Sequence, residues 1–448
     1  IHVGGNVYVG GDLILDANVV NFDSSSLSLV VNGSLNSVSS PHTYTYALNP
    51  GSDLYFNGGG SSSSMSITSQ NPVNVGYFHT GNVSSITSTN GFIINTAITA
   101  GRTLPLTLTG ALAVVGAGSY NSSTNNTSLT IAGATTLQTT AANQTIAFNT
   151  GSGSLILGAV STQGSNPLQN LVFTTSSPMT VGGTISVPGI LTFTNVPSLI
   201  FSSNTILQAT TLTWGNPTLN ALSTTPFNLG INISNSISFG AIGGSYALGS
   251  MTVTTGGAVT FLQNVNVGGF DLSGVTGGVT LQNNIISQGL VSLPSNTTFG
   301  TIGGGITIQS YGTSQSTGIR LASSSLVGGA GQNVPSGALS LRGITTFTSS
   351  SVAIQNTVTN LLLAGSTYGQ GFTINTPVNL GGNTTINTTN TLNFNSTVTG
   401  NNYNLSLFSQ VPNNIFPTVT GVNLLSIAAP GNLTIPAGMP GRVTSMSW

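Results

Sequence analysis

The residues that could carry chemistry in this sequence are its few ionisable ones, and three aspartates lie close together near the N-terminal end. Asp12 and Asp16 are four positions apart on a predicted strand, so their side chains face the same side of it, and Asp23 follows. Carboxylates and backbone carbonyls are the oxygen ligands that Ca²⁺ takes in proteins. These aspartates form the candidate Ca²⁺ site, and we expect no other cofactor. The interpretation that we favour is that they are solvated side chains at strand ends.

Catalysis by proton transfer or by an activated nucleophile needs ionisable groups that the fold brings together. The three histidines, His2, His42 and His79, all lie near the N-terminal end. Residues 103–270 contain no Asp, Glu, Lys, Arg or His, and Asp271 is isolated from the arginines along the sequence. We therefore expect a protein that is not an enzyme and that has no catalytic residue.

Charge is nearly absent from the whole chain. Of 448 residues, four are basic and five are acidic, with a formal net charge of −1 and no cysteine. A nucleic-acid-binding protein needs a basic surface, and a helix that crosses a membrane needs about 20 predominantly apolar residues. The sequence contains neither, so we expect no nucleic-acid partner and no membrane span. Without cysteine, disulfide bonds and thiolate metal sites are also excluded.

Short alternating runs of apolar and polar residues recur along the chain. Examples are SLTIAG (Ser128–Gly133), ILTFTN (Ile190–Asn195) and GITIQS (Gly305–Ser310). Runs of this length, bounded by Gly, Asn, Ser or Pro, are typical of short β-strands joined by tight turns. No stretch keeps a helical period over several turns. The sequence therefore predicts an all-β protein.

Two near-identical segments indicate a repeat. FGAIGG (Phe239–Gly244) and FGTIGG (Phe299–Gly304) start 60 residues apart (299 − 239). This distance corresponds to three steps of about 20, the length of a coil with three short strands. TGGAVTFLQN (Thr255–Asn264) is echoed one such step later by TGGVTLQN (Thr276–Asn283). We predict a parallel β-solenoid with irregular ends. The alternative is a series of tandem β-sandwich domains.

The composition changes towards both ends and divides the chain into three predicted regions. Residues 1–65 form an N-terminal β region or cap, and residues 66–410 form the repetitive solenoid body. Residues 411–448 are rich in proline, which cannot donate a hydrogen bond to a β-ladder. We interpret this last region as a C-terminal cap or an assembly segment.

Three stretches resemble the bacterial filamentous-haemagglutinin-like, β-strand-repeat secreted proteins. They are GGAVTFLQNVNVGGFDLSG (Gly256–Gly274), GGVTLQNNI (Gly277–Ile285) and TLNFNSTVTGNNYNLSLFS (Thr391–Ser409), and the similarity extends over residues 154–409. The resemblance implies a right-handed β-helix, export across a bacterial envelope, and an adhesive or structural role.

The lack of charge favours self-association. Soluble β-proteins protect their exposed strand edges with lysines and other charges, and a net charge near zero promotes association. We therefore expect a secreted, non-enzymatic structural protein, outside the cell or at its surface, whose partners are copies of itself in a fibre or surface layer. The alternative is a rod-like adhesin that presents a binding surface to other cells, with the cell surface or glycans as partners.

Overall fold

The computed structural model is built from short parallel β-strands, with no helix in the part of the chain that it describes. Side chains are described for residues 91, 105–114, 119–138, 141–142, 144–163, 168–299, 305–322, 339–349, 352 and 360–430, and elsewhere only the bounds and pairing of strands are described. The chain divides into two compact units, residues 1–217 (unit 1) and residues 218–448 (unit 2).

The strands of unit 1 are short and pair in parallel with strands one coil away. They are β1 (His2–Val3), β2 (Val7–Val9), β3 (Leu13–Leu15), β4 (Asn21–Phe22), β5 (Leu29–Val31), β6 (Leu35–Ser37), β7 (Thr43–Leu48), β8 (Leu54–Phe56), β9 (Ser64–Ser69), β10 (Val73–Asn74), β11 (Ser85–Ser88), β12 (Phe92–Ile94), β13 (Leu106–Thr109), β14 (Leu112–Val115), β15 (Ser119–Asn121), β16 (Leu129–Ile131), β17 (Thr135–Gln138), β18 (Thr145–Gly151), β19 (Leu155–Leu157), β20 (Val160–Gln163), β21 (Asn170–Thr175), β22 (Met179–Val181), β23 (Ile185–Ser186), β24 (Ile190–Thr194), β25 (Ser198–Phe201), β26 (Thr205–Gln208) and β27 (Thr211–Trp214).

The strands of unit 2 continue the same pattern, and some of them bend from one sheet face onto the next. They are β28 (Thr218–Ala221), β29 (Leu229–Asn232), β30 (Ile237–Phe239), β31 (Leu248–Thr255), β32 (Val259–Phe261), β33 (Val265–Val275), β34 (Val279–Leu281), β35 (Ile285–Ser287), β36 (Val291–Leu293), β37 (Thr297–Phe299), β38 (Ile306–Ser310), β39 (Ile319–Leu321), β40 (Ser325–Leu326), β41 (Ala338–Arg342), β42 (Thr345–Phe347), β43 (Val352–Ile354), β44 (Asn360–Gly369), β45 (Phe372–Ile374), β46 (Val378–Thr388), β47 (Leu392–Phe394), β48 (Val398–Thr399), β49 (Leu405–Ser409), β50 (Val419–Thr420) and β51 (Leu425–Ala428).

Three consecutive strands make one coil, as β22, β23 and β24 show in unit 1. The next three strands stack on them in parallel register, so that Met179 pairs with Leu199. The step along the sequence from Leu129 to its partner Leu155 is longer than the step from Met179 to its partner Leu199. The coils therefore have unequal lengths. The predicted parallel β-solenoid is confirmed, and the tandem β-sandwich alternative is wrong. The predicted region boundaries near residues 65 and 410 stay predictions.

The core lies between the sheets, because side chains alternate between the interior and the outer surface along each strand. In β21, Leu171 and Phe173 are buried, while Val172 between them is half-buried on the outer face. Like residues stack on like: the ring of Phe173 lies 5.6 Å from that of Phe148 and 5.5 Å from that of Phe193. Each of these coils of unit 1 therefore adds one layer of apolar side chains to the core of that unit.

The repeat of the two FG-I-GG segments follows from this stacking. In unit 2, Phe239 pairs with Phe261, Phe261 pairs with Leu281, and Leu281 pairs with Phe299. Phe239 and Phe299 thus occupy the same interior position three coils apart, and both are buried. The prediction that the two segments are separated by three coils is confirmed.

Buried hydroxyl groups connect successive coils at their corners. The Thr175 hydroxyl donates a hydrogen bond to the Gly153 carbonyl at 2.8 Å and accepts one from the backbone N–H two residues later at 3.0 Å. In unit 2, the Ser310 hydroxyl does the same, with the Gly289 carbonyl at 2.6 Å and the N–H two residues later at 3.0 Å. These hydroxyls satisfy backbone groups where the chain turns away from the ladder. This role of Thr and Ser is not evident from the sequence.

Candidate functional site

The candidate Ca²⁺ ligands Asp12, Asp16 and Asp23 lie outside the described residues, so that site stays a prediction. Within the described ranges, no group of three or more His, Cys, Asp or Glu side chains is placed to hold a metal ion.

The described side chains include three charged groups, Asp271, Arg320 and Arg342, all of them in unit 2. Asp271 and Arg320 are far apart in the sequence, but Asp271 pairs in register with Ser292, and Ser292 pairs with Arg320. The two charged residues therefore lie two rungs apart on one sheet face, about 9.5 Å between backbones. The coils thus bring Asp271 and Arg320, which are distant in the sequence, into one row.

Asp271 and Arg320 belong to a longer row, which we call the polar–aromatic column. Register pairs connect its members from β31 to β51, and each member is half-buried or exposed as a residue. The residue that precedes each member is buried instead, as Phe270, Val291 and Ile319 show. The column thus forms part of the outer face. Its members are Thr252, Asp271, Ser292, Arg320, Thr346, Tyr368, Asn387, Phe408 and Ala428.

The side chains of the polar–aromatic column alternate in kind. Charged and aromatic side chains stand on every second rung, and hydroxyl, amide or methyl side chains stand between them. In order, Asp271, Arg320, Tyr368 and Phe408 alternate with Ser292, Thr346, Asn387 and Ala428. Consecutive rungs are about 4.8 Å apart, so the charged and aromatic positions follow one another at about 9.5 Å along the column.

A cavity of about 540 Å³ opens at the charged end of the column. Asp271, Ser292 and Arg320 line it, together with Asn296 and other residues of the adjacent turns. The Asp271 carboxylate is oriented by the backbone N–H of Ser273, which donates to its Oδ1 at 2.9 Å. Arg320 is exposed, so its guanidinium can donate to a ligand. The site offers hydrogen-bond acceptors and donors that are suited to binding a polar molecule.

A second cavity, of about 460 Å³, lies at the aromatic end. Asn387, Phe408 and Ala428 of the column line it, with Gln410 and residues close by. The column therefore carries two surface cavities with different chemistry, one charged and one aromatic. On the rungs between these cavities, the hydroxyl of Thr346 is buried without a hydrogen-bond partner among the described residues.

This column is not evident from the sequence because the coils have unequal lengths. The step from Ser292 to its partner Arg320 is longer than the step from Asp271 to its partner Ser292. A single fixed period does not align these positions. Only the observed register identifies which residues share a row.

Comparison of the chain with protein-family models, with curated proteins and with solved structures gives no match. Within the part of the chain that the structure describes, no helix is long and apolar enough to cross a membrane.

Proposed function

We propose that this chain is a non-enzymatic, secreted structural protein that associates with copies of itself in an extracellular fibre or surface layer. The observation that carries the proposal is the surface of unit 1, whose described side chains include no Asp, Glu, Lys, Arg or His. The outer positions hold hydroxyl, amide and aliphatic groups instead. Such a surface forms contacts by packing and neutral hydrogen bonds, which salt screens weakly.

One row on the outer face of unit 1 illustrates how copies would meet. We call it the Thr/Ile column: Thr107, Thr130, Ile156, Thr180 and Ile200 pair in register on adjacent rungs. None of these side chains is buried, and Ile156 is 38% exposed. β-branched side chains stacked at the strand spacing form a regular surface that a second copy can interdigitate with, as in sheet-to-sheet zippers.

The missing charges support self-association because they remove the usual protection against it. Soluble β-proteins place lysines and other charges on exposed sheet surfaces and edges, where a charge would be desolvated or repelled in a contact between copies. The described part of unit 1 has no such residue. Its contacts with further copies would therefore carry no charge-desolvation cost.

The proposal is tested by electron microscopy and sedimentation of the purified chain at low micromolar concentration. We expect ordered filaments or sheets. Thr180→Lys places a charge in the middle of the Thr/Ile column and should abolish or strongly weaken assembly, with the circular dichroism spectrum unchanged. Thr180→Ser keeps the hydroxyl and should assemble like the wild type.

Two outcomes would count against the proposal. A wild-type chain that stays monomeric at all accessible concentrations would remove its basis and would favour the rod-like adhesin. Normal assembly of the Thr180→Lys variant would show that the Thr/Ile column is not part of the contact.

A further inference from the structure

The charged and aromatic side chains of the polar–aromatic column, Asp271, Arg320, Tyr368 and Phe408, stand two rungs apart, about 9.5 Å between backbones. An extended β-linked polysaccharide repeats after two sugar rings, over a length close to this distance. We propose that the column binds a linear polysaccharide that lies along the stacking direction of the coils, one disaccharide for every two rungs. This inference goes beyond the structural role proposed above and does not depend on self-association.

The aromatic half of the column has the chemistry that sugar rings require. Tyr368 and Phe408 stand two rungs apart with Asn387 between them. Phe408 is 36% exposed, so part of its ring is open to a ligand. An aromatic ring packs against the apolar C–H face of a sugar, and the phenol of tyrosine adds a polar group at its edge. The amide of Asn387 can donate to one hydroxyl and accept from another.

The charged half of the column complements hydroxyl and carboxylate groups. The carboxylate of Asp271, a half-buried residue, can accept hydrogen bonds from sugar hydroxyls. The guanidinium of Arg320, an exposed residue, can donate to hydroxyls or to a uronate carboxylate. Charge-assisted hydrogen bonds of this kind are stronger than neutral ones. The cavity of about 540 Å³ beside these residues provides room for a ring or a ring substituent.

Other linear polymers fit the column less well. Nucleic acids need several cations along their path, whereas the column has one arginine and one aspartate whose formal charges cancel. The side chains of an extended peptide repeat on one face after about 6.6–6.8 Å, which does not match two rungs. A polysaccharide matches both the two-rung spacing of these positions and the mixture of aromatic and polar groups.

Binding is measured by isothermal titration calorimetry with three hexasaccharide probes: β-1,4-linked glucose, β-1,4-linked N-acetylglucosamine and β-1,4-linked mannuronate. We expect at least one probe to bind. Tyr368→Ala and Phe408→Ala should each weaken binding about tenfold, as the loss of an aromatic contact in a ligand site does. Arg320→Gln should weaken binding of mannuronate more than binding of a neutral probe, because it removes the charge-assisted bond.

The matched control is Tyr311→Ala, which removes a tyrosine of unit 2 that is 55% exposed and lies outside the column. Its dissociation constant should equal that of the wild type. The proposal is overturned if none of the three probes binds at millimolar concentration, or if Tyr311→Ala weakens binding as much as Phe408→Ala. It is also overturned if Tyr368→Ala and Phe408→Ala abolish self-assembly and leave sugar binding unchanged, because the column would then be a contact between copies.

Discussion

The rings of Phe239 and Phe261 stack with their centroids 4.8 Å apart and their planes inclined by 8°. This separation is the same as the distance between neighbouring strands of a sheet, about 4.7–4.9 Å. It arises because the two residues occupy the same inward position in consecutive coils. Phe270 then meets Phe261 edge-on at 5.0 Å. The core of unit 2 is thus a stack of layers, each supplied by one coil.

Truncating the middle ring of this stack should destabilise the protein. Phe261 is 1% exposed, and replacing a buried Phe with Ala costs about 3–5 kcal/mol through lost apolar contacts and the cavity that remains. We expect Phe261→Ala to lower the thermal midpoint followed by circular dichroism. Tyr246→Ala removes an aromatic ring that is 44% exposed and should stay within about 0.5 kcal/mol of the wild type. Equal midpoints for the two variants would contradict the layered core.

The buried hydroxyl of Thr175 should contribute more to stability than its neighbour Thr174. Thr175→Val leaves the Ser177 N–H without its acceptor and removes the bond to the Gly153 carbonyl. An unsatisfied buried polar group costs about 1–3 kcal/mol, so unfolding in urea should begin at lower concentration. Thr174→Val changes the same atoms on the outer face and keeps a strand-forming residue, so its unfolding curve should match that of the wild type. A wild-type curve for Thr175→Val would show that the hydroxyl does not connect the coils.

Replacing each of two adjacent glycines with alanine should have different effects on stability. Gly243 has φ +67°, and a Cβ there would clash with the carbonyl oxygen of Asn266, whereas a Cβ at Gly244 meets nothing within 4 Å. Gly243→Ala should therefore destabilise unit 2 by more than about 1 kcal/mol. Gly244→Ala should be neutral or slightly stabilising. The measurement is the thermal midpoint of both variants, and a stable Gly243→Ala would mean that this turn adopts another conformation.

Stability and assembly should change little with pH. Folding stability depends on pH only through groups that bind protons differently in the folded and unfolded states, and residues 103–270 contain no Asp, Glu, Lys, Arg or His. For this stretch the slope of stability against pH is therefore zero from about pH 3 to about pH 9, below the range in which tyrosine titrates. Thermal midpoints measured at pH 3, 6 and 9 should agree within about 5 °C. Disassembly in mild acid would contradict a contact made by uncharged groups.

The fold was predictable from the sequence to a large extent, because the coils of a solenoid produce similar short segments at regular spacing along the sequence. The spacing of Phe239 and Phe299 anticipated three coils, and the structure places both residues in one interior row. The role of Thr175 was not predictable in this way. The sequence does not show whether a threonine hydroxyl faces solvent or forms a hydrogen bond with a backbone group of the preceding coil.

The sequence by itself determined that this is a nearly uncharged, all-β protein built from repeated coils. The alternation of apolar and polar residues, the turn residues and the composition are local properties that can be seen in the sequence. The tertiary structure alone decided which distant residues become neighbours. Asp271 and Arg320 lie two rungs apart in one row, and so do Tyr368 and Phe408, because coils of unequal length bring these positions into register. Register is set by how buried side chains stack from coil to coil, and that condition involves the whole layer instead of any single segment.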